Sequence, residues 1–165
     1  MGRSGIGFDA HAFEEGRPLV LGGVTVPGHD GLAGHSDADV LSHAIADALL
    51  GAAALGDLGS RFPDDERWAG ASSLEILSET SALVTANGYR IEHVDASVVA
   101  QVPRLAPYRE EMRSNVAAAL GVASEAVSVK ATTTDGLGFT GRGEGVAALA
   151  VATIESCGPA EAAPR

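Results

Sequence analysis

Aromatic side chains are scarce in this chain, at 4% of residues. Any core must therefore be built from Ala, Val, Leu and Ile, within a hydrophobic fraction of 45%. There is one cysteine, Cys157. No internal disulfide can form, which suits a reducing cytoplasm. Nothing resembles a signal peptide, and no apolar run is long enough to span a membrane. Basic charge is also short: 11 Lys and Arg stand against 22 Asp and Glu, for a formal net charge of −11. That balance argues against nucleic acid and against an anionic membrane surface as partners. A small anionic substrate stays open, provided local cations or metal ions offset the field. Several nucleophile and nucleotide signatures are missing as well. No GxxxxGK[ST] occurs, GRGEG lacks the last spacing of a dinucleotide fingerprint, and GHSDA is not GxSxG. Covalent Ser or Cys catalysis has no support.

At 165 residues the chain suffices for one domain with a sizeable core. Residues 3–13 alternate and read as a strand. Residues 18–28 read as two short extended pieces around Gly22-Gly23. A helix is predicted from near Ser36 to about Leu55, with Ser36 and Asp39 as a variant capping box. A second covers 72–88, capped by Ser72 and Glu75 and stopped by Gly88. Residues 93–103 read as a strand, 106–121 as a helix closed by Gly121, 127–133 as a strand, and 145–154 as a central strand. The interleaving predicts a single α/β domain over residues 1–157. The tail, 158–165, is Pro-, Ala- and Glu-rich and is expected to be disordered.

Chemistry begins at Asp9 and His11. Two residues apart on a strand, they point the same way and suit two ligands of a divalent metal. A surface turn with a hydrogen-bonded His is the competing reading. HSDADVLSH, residues 35–43, offers a third ligand. Asp39, His43 and Asp47 share one helix face at i, i+4, i+8. Asp9, His11 and His43 would leave a fourth position open, the pattern of a working zinc. Asp39 or Asp47 could accept the free ring N–H of His43. A solvated face is the alternative. The second cluster is residues 129–145. Lys130, the only lysine, leaves an apolar strand into three threonines, whose hydroxyls suit phosphate oxygens. Asp135 suits a hard metal. A β-rich stretch with a flexible loop would explain it too.

Four motifs occur in order: Phe8-Asp9-Ala10-His11, His35-Ser36-Asp37, Gly56-Asp57-Leu58-Gly59 with Phe62-Pro63-Asp64, and KATTTDGLGFTGRGEG. Together they resemble the 2-C-methyl-D-erythritol 2,4-cyclodiphosphate synthase family, over about residues 3–156. The resemblance implies an enzyme that cyclises a cytidine diphosphate ester of methylerythritol 2-phosphate and releases CMP. It implies zinc at Asp9, His11 and His43, and magnesium or manganese at Asp135. It matches His35 and Thr133 to transition-state stabilisation, and Ser36 to a phosphate contact at the helix start. Asp57, Leu58, Gly59, Phe62 and Asp64 match the methylerythritol pocket. Ala100, Arg104, Leu105, Ala106, Ala131, Thr132 and Thr133 match the cytidine pocket, with Thr134 and Asp135 beside it. Phe139 and Arg142 match a further substrate contact. The family implies a homotrimer of mixed sheets that face a central axis, with helices on the other face. Phe8, Arg142 and Glu144 then line an axial cavity for an isoprenoid diphosphate. Two positions depart from the family: Asp135, where Glu is frequent, and Arg104, where Lys is common. Another zinc-dependent phosphodiesterase or nucleotide hydrolase, and a non-catalytic isoprenoid-binding trimer, are the alternative functions.

Overall fold

Period-two alternation puts Gly5, Gly7, Asp9 and His11 on one face of the first strand, and Ile6 and Phe8 on the other. The computed structural model, which describes residues 1–63 and 66–157, is organised around that division. Five strands form one mixed sheet: β1 (Gly2–Leu21), β2 (Val24–Leu32), β3 (Tyr89–Val99), β4 (Val127–Thr132) and β5 (Gly145–Ser156). Their spatial order is β2-β1-β5-β3-β4. Neighbours are antiparallel except β3 and β4, which run parallel. The helices are α1 (Val40–Ala53), α2 (Leu58–Arg61), α3 (Ser73–Ala86), α4 (Arg109–Leu120) and α5 (Gly138–Gly141). The expected mixed α/β architecture is therefore present. None of the described helices is long and apolar enough to cross a membrane. The predicted tail from Gly158 lies outside the described residues.

Several boundaries differ from the sequence reading. β1 does not stop at residue 13. It changes partner there, pairing with β5 through Ala12 and with β2 from Phe13, across irregularities between Glu14 and Leu19. α1 starts at Val40, not Ser36, because Asp39 is the N-cap. Its carboxylate accepts from the N–H groups of Leu41 and Ser42 at 3.2 and 3.1 Å. Ser72 caps α3 as expected, and Gly121 closes α4 in the left-handed region. β3 begins at Tyr89 and ends before Pro103, which cannot donate to a ladder.

Cross-strand register aligns whole rows of side chains. Gly7, Ala150, Ala96 and Val129 form one row, and Asp9, Ala148, Val98 and Ala131 the next. α1 lies over these rows, with Leu41, Ile45 and Leu49 fully buried. The approach is very close. A Cβ on Gly7 would overlap the Ala44 carbonyl oxygen and lie 2.7 Å from Ala48 N, and one on Gly5 would meet Ala48 and Ala52 in the same way. Glycine is required at these two positions because the helix backbone occupies the side-chain space.

Among the described residues, no helix covers the opposite sheet face. Phe8, Leu149, Ser97 and Lys130 form one row there, and Ile6, Val151, Asp95 and Ser128 another. Ile6 and Phe8 are 67% and 61% exposed. Lys130 Nζ lies 2.6 and 2.5 Å from the two Asp95 oxygens, and this bond holds the Asp95 carboxyl below the usual range. Lys130 therefore belongs to the open face and not to a phosphate cradle.

Gly7→Ala should force α1 off β1. The expected cost is about 1–3 kcal/mol of unfolding free energy, read by urea denaturation, with a matching loss of bound divalent metal. An unchanged midpoint would contradict this packing account.

Candidate functional site

Immediately before Ala44, the residue that meets Gly7, α1 carries His43 over the Asp9 row. His43 Nδ1 lies 3.1 Å from Asp9 Oδ2, and His11 Nε2 lies 2.8 Å from the same oxygen. The two ring nitrogens are 3.4 Å apart. Asp9, His11 and His43 thus offer three ligand atoms within 4.8 Å of one another.

The hydrogen bonds behind the cluster set both tautomers. His11 Nδ1 is 2.6 Å from the Ala33 carbonyl oxygen. A carbonyl only accepts, so Nδ1 carries the proton and Nε2 presents its lone pair. His43 Nε2 is 2.9 Å from Ser73 Oγ and 3.2 Å from Ser36 Oγ. Ser73 Oγ donates to the Asp37 carboxylate, so it accepts from His43 Nε2–H. His43 Nδ1 is then the free nitrogen facing Asp9. One carboxylate oxygen and two imidazole lone pairs point at one another, and only a cation can sit among them. The set suits a borderline divalent ion that takes nitrogen and oxygen. With no ion in place, a proton is the cation that bridges these groups: burial raises the Asp9 pKa, but ring N–H groups turned to the carboxylate outweigh it and hold the carboxyl well below the usual range. The bond to Asp9 raises the His11 pKa.

The expected support of His43 by Asp39 or Asp47 is not what the fold provides. Asp39 is fully buried and turned back on its own helix, bonded to Ser42 Oγ at 2.7 Å and Gly23 N at 2.9 Å. Burial pushes its pKa up. Asp47 accepts from Leu58 N at 3.0 Å and so holds the start of α2. The supporting residues are Ser73 and Asp37. Ser73 is 30 positions from His43, and no local spacing announces it. The Asp39 carboxylate also fills the start of α1, so that end is not free for a phosphate, and Ser36 lies in the loop before it.

The cluster forms one wall of a cleft of about 220 Å³. His35, Ser36, Leu58, Gly59 and Phe62 line it with Asp9, His11 and His43. Trp68 and Ile76 complete it; neither is marked by a sequence motif. Phe62 meets Trp68 edge-on, with ring centroids 5.1 Å apart. Asp57 is the N-cap of α2, and the Ser60 N–H holds its carboxyl pKa down. Asp64 lies outside the described residues.

A second cleft, of about 480 Å³, opens at the ends of β3 and β4. Ala100, Arg104, Leu105, Ala106, Ala131, Thr132 and Thr133 all line it, as does Gln101. Asp135 belongs to this side of the molecule. Thr133 Oγ1 donates to Asp135 Oδ1 at 3.0 Å, and Gly136 N donates to Gln101 at 3.3 Å. Asp135 has a φ of 51°, a region Asp enters more readily than most residues. Thr134 bonds Thr140 at 3.0 Å and Leu137 O at 2.6 Å. Phe139 is exposed, and Arg142 pairs with Glu144 at 2.7 Å. Asp9 and Ala131 occupy the same row three strands apart, roughly 14 Å at about 4.8 Å per strand. One chain therefore keeps the two clefts separate.

These features define a class: an α/β domain in which, among the described residues, one nitrogen-and-oxygen cluster that could hold a metal opens on a cleft. The YgbB family model matches residues 2–155, and the chain belongs to that family. It is 58% identical to a 2-C-methyl-D-erythritol 2,4-cyclodiphosphate synthase of Alkaliphilus oremlandii, over 92% of this chain and 98% of the relative. A protein of the same name from Moorella thermoacetica is 60% identical, over 92% and 94%. Among solved structures, a CDP-bound 2C-methyl-D-erythritol-2,4-cyclodiphosphate synthase superposes with a TM-score of 0.85 at 36% identity. That match covers 93% of this chain and 100% of the other. The bifunctional IspDF of Campylobacter jejuni gives 0.91 at 42% identity, covering 94% of this chain and 42% of that longer one.

Ser73→Ala removes the nearer acceptor of His43 Nε2–H and the link to Asp37, which keeps the N–H groups of Ser73 and Asp39. Metal affinity should fall about 10–100-fold, measured by competition with a chelating indicator. Unaltered affinity would remove Ser73 from the metal's support.

Proposed function

We propose that this protein is a 2-C-methyl-D-erythritol 2,4-cyclodiphosphate synthase of the non-mevalonate isoprenoid pathway. It cyclises 4-diphosphocytidyl-2-C-methyl-D-erythritol 2-phosphate to the 2,4-cyclodiphosphate and releases CMP. The observation that carries the reading is the convergence of Asp9, His11 and His43 on a cleft wall, in a chain 58% identical to a protein of that name. An oxygen of the 2-phosphate attacks the β-phosphorus. The bond from that phosphorus to the CMP oxygen breaks, and CMP keeps the electron pair. The substrate supplies its own nucleophile, which agrees with the missing Ser and Cys patterns.

Catalysis then rests on positioning and charge. Zinc held by Asp9, His11 and His43, and magnesium or manganese held by Asp135, would supply Lewis acids that offset phosphate charge. His35 and Thr133 donate to phosphate oxygens as charge develops, and Ser36 binds the phosphorylated end. The metal-side cleft, lined by Leu58, Gly59 and Phe62, takes the methylerythritol unit, and the family resemblance adds Asp57 and Asp64 to its contacts. The cleft of Ala100, Arg104, Leu105, Ala106, Ala131 and Thr132 takes cytidine, with Thr134 and Asp135 at its diphosphate side. Phe139 and Arg142 add a further contact. A cytidine nucleotide is also what the CDP-bound relative holds.

The working form is a homotrimer, with one chain's metal cluster facing a neighbour's cytidine cleft. The uncovered apolar face and the separation of the two clefts within one chain support this arrangement. Phe8, Arg142 and Glu144 would then border an axial cavity suited to an isoprenoid diphosphate. Residues 1–157 act as one catalytic domain, working in the cytoplasm.

Phosphorus NMR of the reaction should show CMP and a cyclic diphosphate in equal amounts, and His43→Ala should abolish both signals. CMP with only linear phosphate products would indicate a hydrolase instead. Asp135→Asn should raise the magnesium concentration for half-activation roughly tenfold, equivalent to about 1.4 kcal/mol, with zinc content unchanged. Asp135→Glu should remain active. An inactive, folded Asp135→Glu would remove position 135 from the second metal.

A further inference from the structure

Residues 33–37 form an irregular loop between β2 and α1. Each carbonyl from Ala33 to Ser36 nevertheless has a hydrogen-bond partner. Ala33 O lies 2.6 Å from His11 Nδ1, and His35 O accepts from Gly70 N at 3.0 Å. The other two belong to one side chain. Arg17 Nη1 donates to Gly34 O and Arg17 Nη2 donates to Ser36 O, both at 2.6 Å. The guanidinium thus spans His35, holding the residue on either side of it.

The irregular stretch of β1 delivers this side chain. Between Glu14 and Leu19 the pairing with β2 shifts twice, and Gly16 takes a φ of 83°, which glycine alone adopts without strain. Glu14 Oε2, 3.3 Å from Arg17 Nη1, steadies the guanidinium. The His35 ring itself is exposed and makes no hydrogen bond to another described residue. Its aim into the cleft therefore depends on its backbone.

We infer that Arg17 is a positioning residue for His35: its fork bridges Gly34 O and Ser36 O and fixes the backbone that aims the His35 ring into the metal-side cleft. The inference rests on the role given to His35 under the proposed function. Arg17 touches no reacting atom. The geometry needs a planar fork, because two carbonyls on either side of one residue must be met at once. A lysine ammonium carries the same charge but is a single flexible point. Arg17 also places a positive charge within reach of His11. An Ala variant changes field and fork together, whereas Arg17→Lys keeps the field and removes the fork.

The test compares Arg17→Lys and Arg17→Ala with the unmodified protein for kcat, KM, zinc content and amide hydrogen exchange over residues 34–37. In both variants kcat should fall about 10–100-fold, the effect of a misplaced catalytic group. KM should change less, zinc per chain should hold, and exchange over the loop should quicken. Added guanidinium ion should restore part of the kcat of Arg17→Ala and none of that of Arg17→Lys. Wild-type kcat in Arg17→Lys would overturn the inference. So would a loss of turnover that tracks loss of zinc and ignores guanidinium. Exchange judges the clamp apart from catalysis: an unchanged rate over 34–37 in Arg17→Ala overturns it whatever turnover does. Full activity in His35→Ala would instead sink the role given to His35, and faster exchange in Arg17→Ala would still leave the clamp in place.

Discussion

Helix α1 can rest on β1 only because Gly5 and Gly7 have no side chains where the Ala44, Ala48 and Ala52 backbone passes. That contact fixes the height of the helix above the sheet, and the metal cluster inherits it. Asp9 follows Gly7 on the same strand face, and His43 sits beside Ala44 on the helix. A helix about 1 Å further out would separate His43 Nδ1 from Asp9 Oδ2, now 3.1 Å apart. The same packing explains the buried Asp39. Its carboxylate closes the start of α1 and ties it to Gly23 in the β1–β2 turn. The helix is thus anchored at its first turn and pressed flat along its length.

An acidic chain that handles phosphates must supply positive charge locally. The converging lone pairs of Asp9, His11 and His43 answer this by demanding a cation. Around them the protein uses neutral donors and carbonyl partners more than basic side chains. The single lysine is spent elsewhere, on the open sheet face with Asp95. That face divides along its rows, apolar at β1 and β5 and polar at β3 and β4. Lateral separation of the clefts has the same origin: β5 and β3 stand between Asp9 and Ala131. The strand order that buries Ala148 and Val98 under α1 also keeps the two clefts apart within one chain.

Much of this was legible in the sequence where chemistry and local period coincide. Asp9 and His11 are two apart on a strand, and His43 stands out on an apolar helix, so the ligand set could be read. The residues of the second cleft, at 100–106 and 131–133, came from the family resemblance and not from local period. What local period cannot show is where a side chain turns. Asp39 shares a helical face with His43 by count, yet its short side chain reaches back to the helix N–H groups at 3.1–3.2 Å. Ser73 supports His43 from another helix, and Trp68 enters the cleft from a turn, so neither has a spacing to betray it. Lys130 is the opposite case: simple alternation after Val129 sends it to the face away from α1, where it meets Asp95. Arg17 was silent because its reach depends on an irregularity in β1 that no pattern of residue types encodes.

The central claim is that glycine-allowed packing brings three ligand atoms together to hold one divalent ion. Anomalous diffraction at the zinc edge, from crystals of the zinc-loaded protein, tests it directly. The account predicts one strong peak per chain in contact with an Asp9 carboxylate oxygen, His11 Nε2 and His43 Nδ1. A peak held by Asp39 or Asp47, or by His43 through Nε2, or no peak at this cluster, would contradict it.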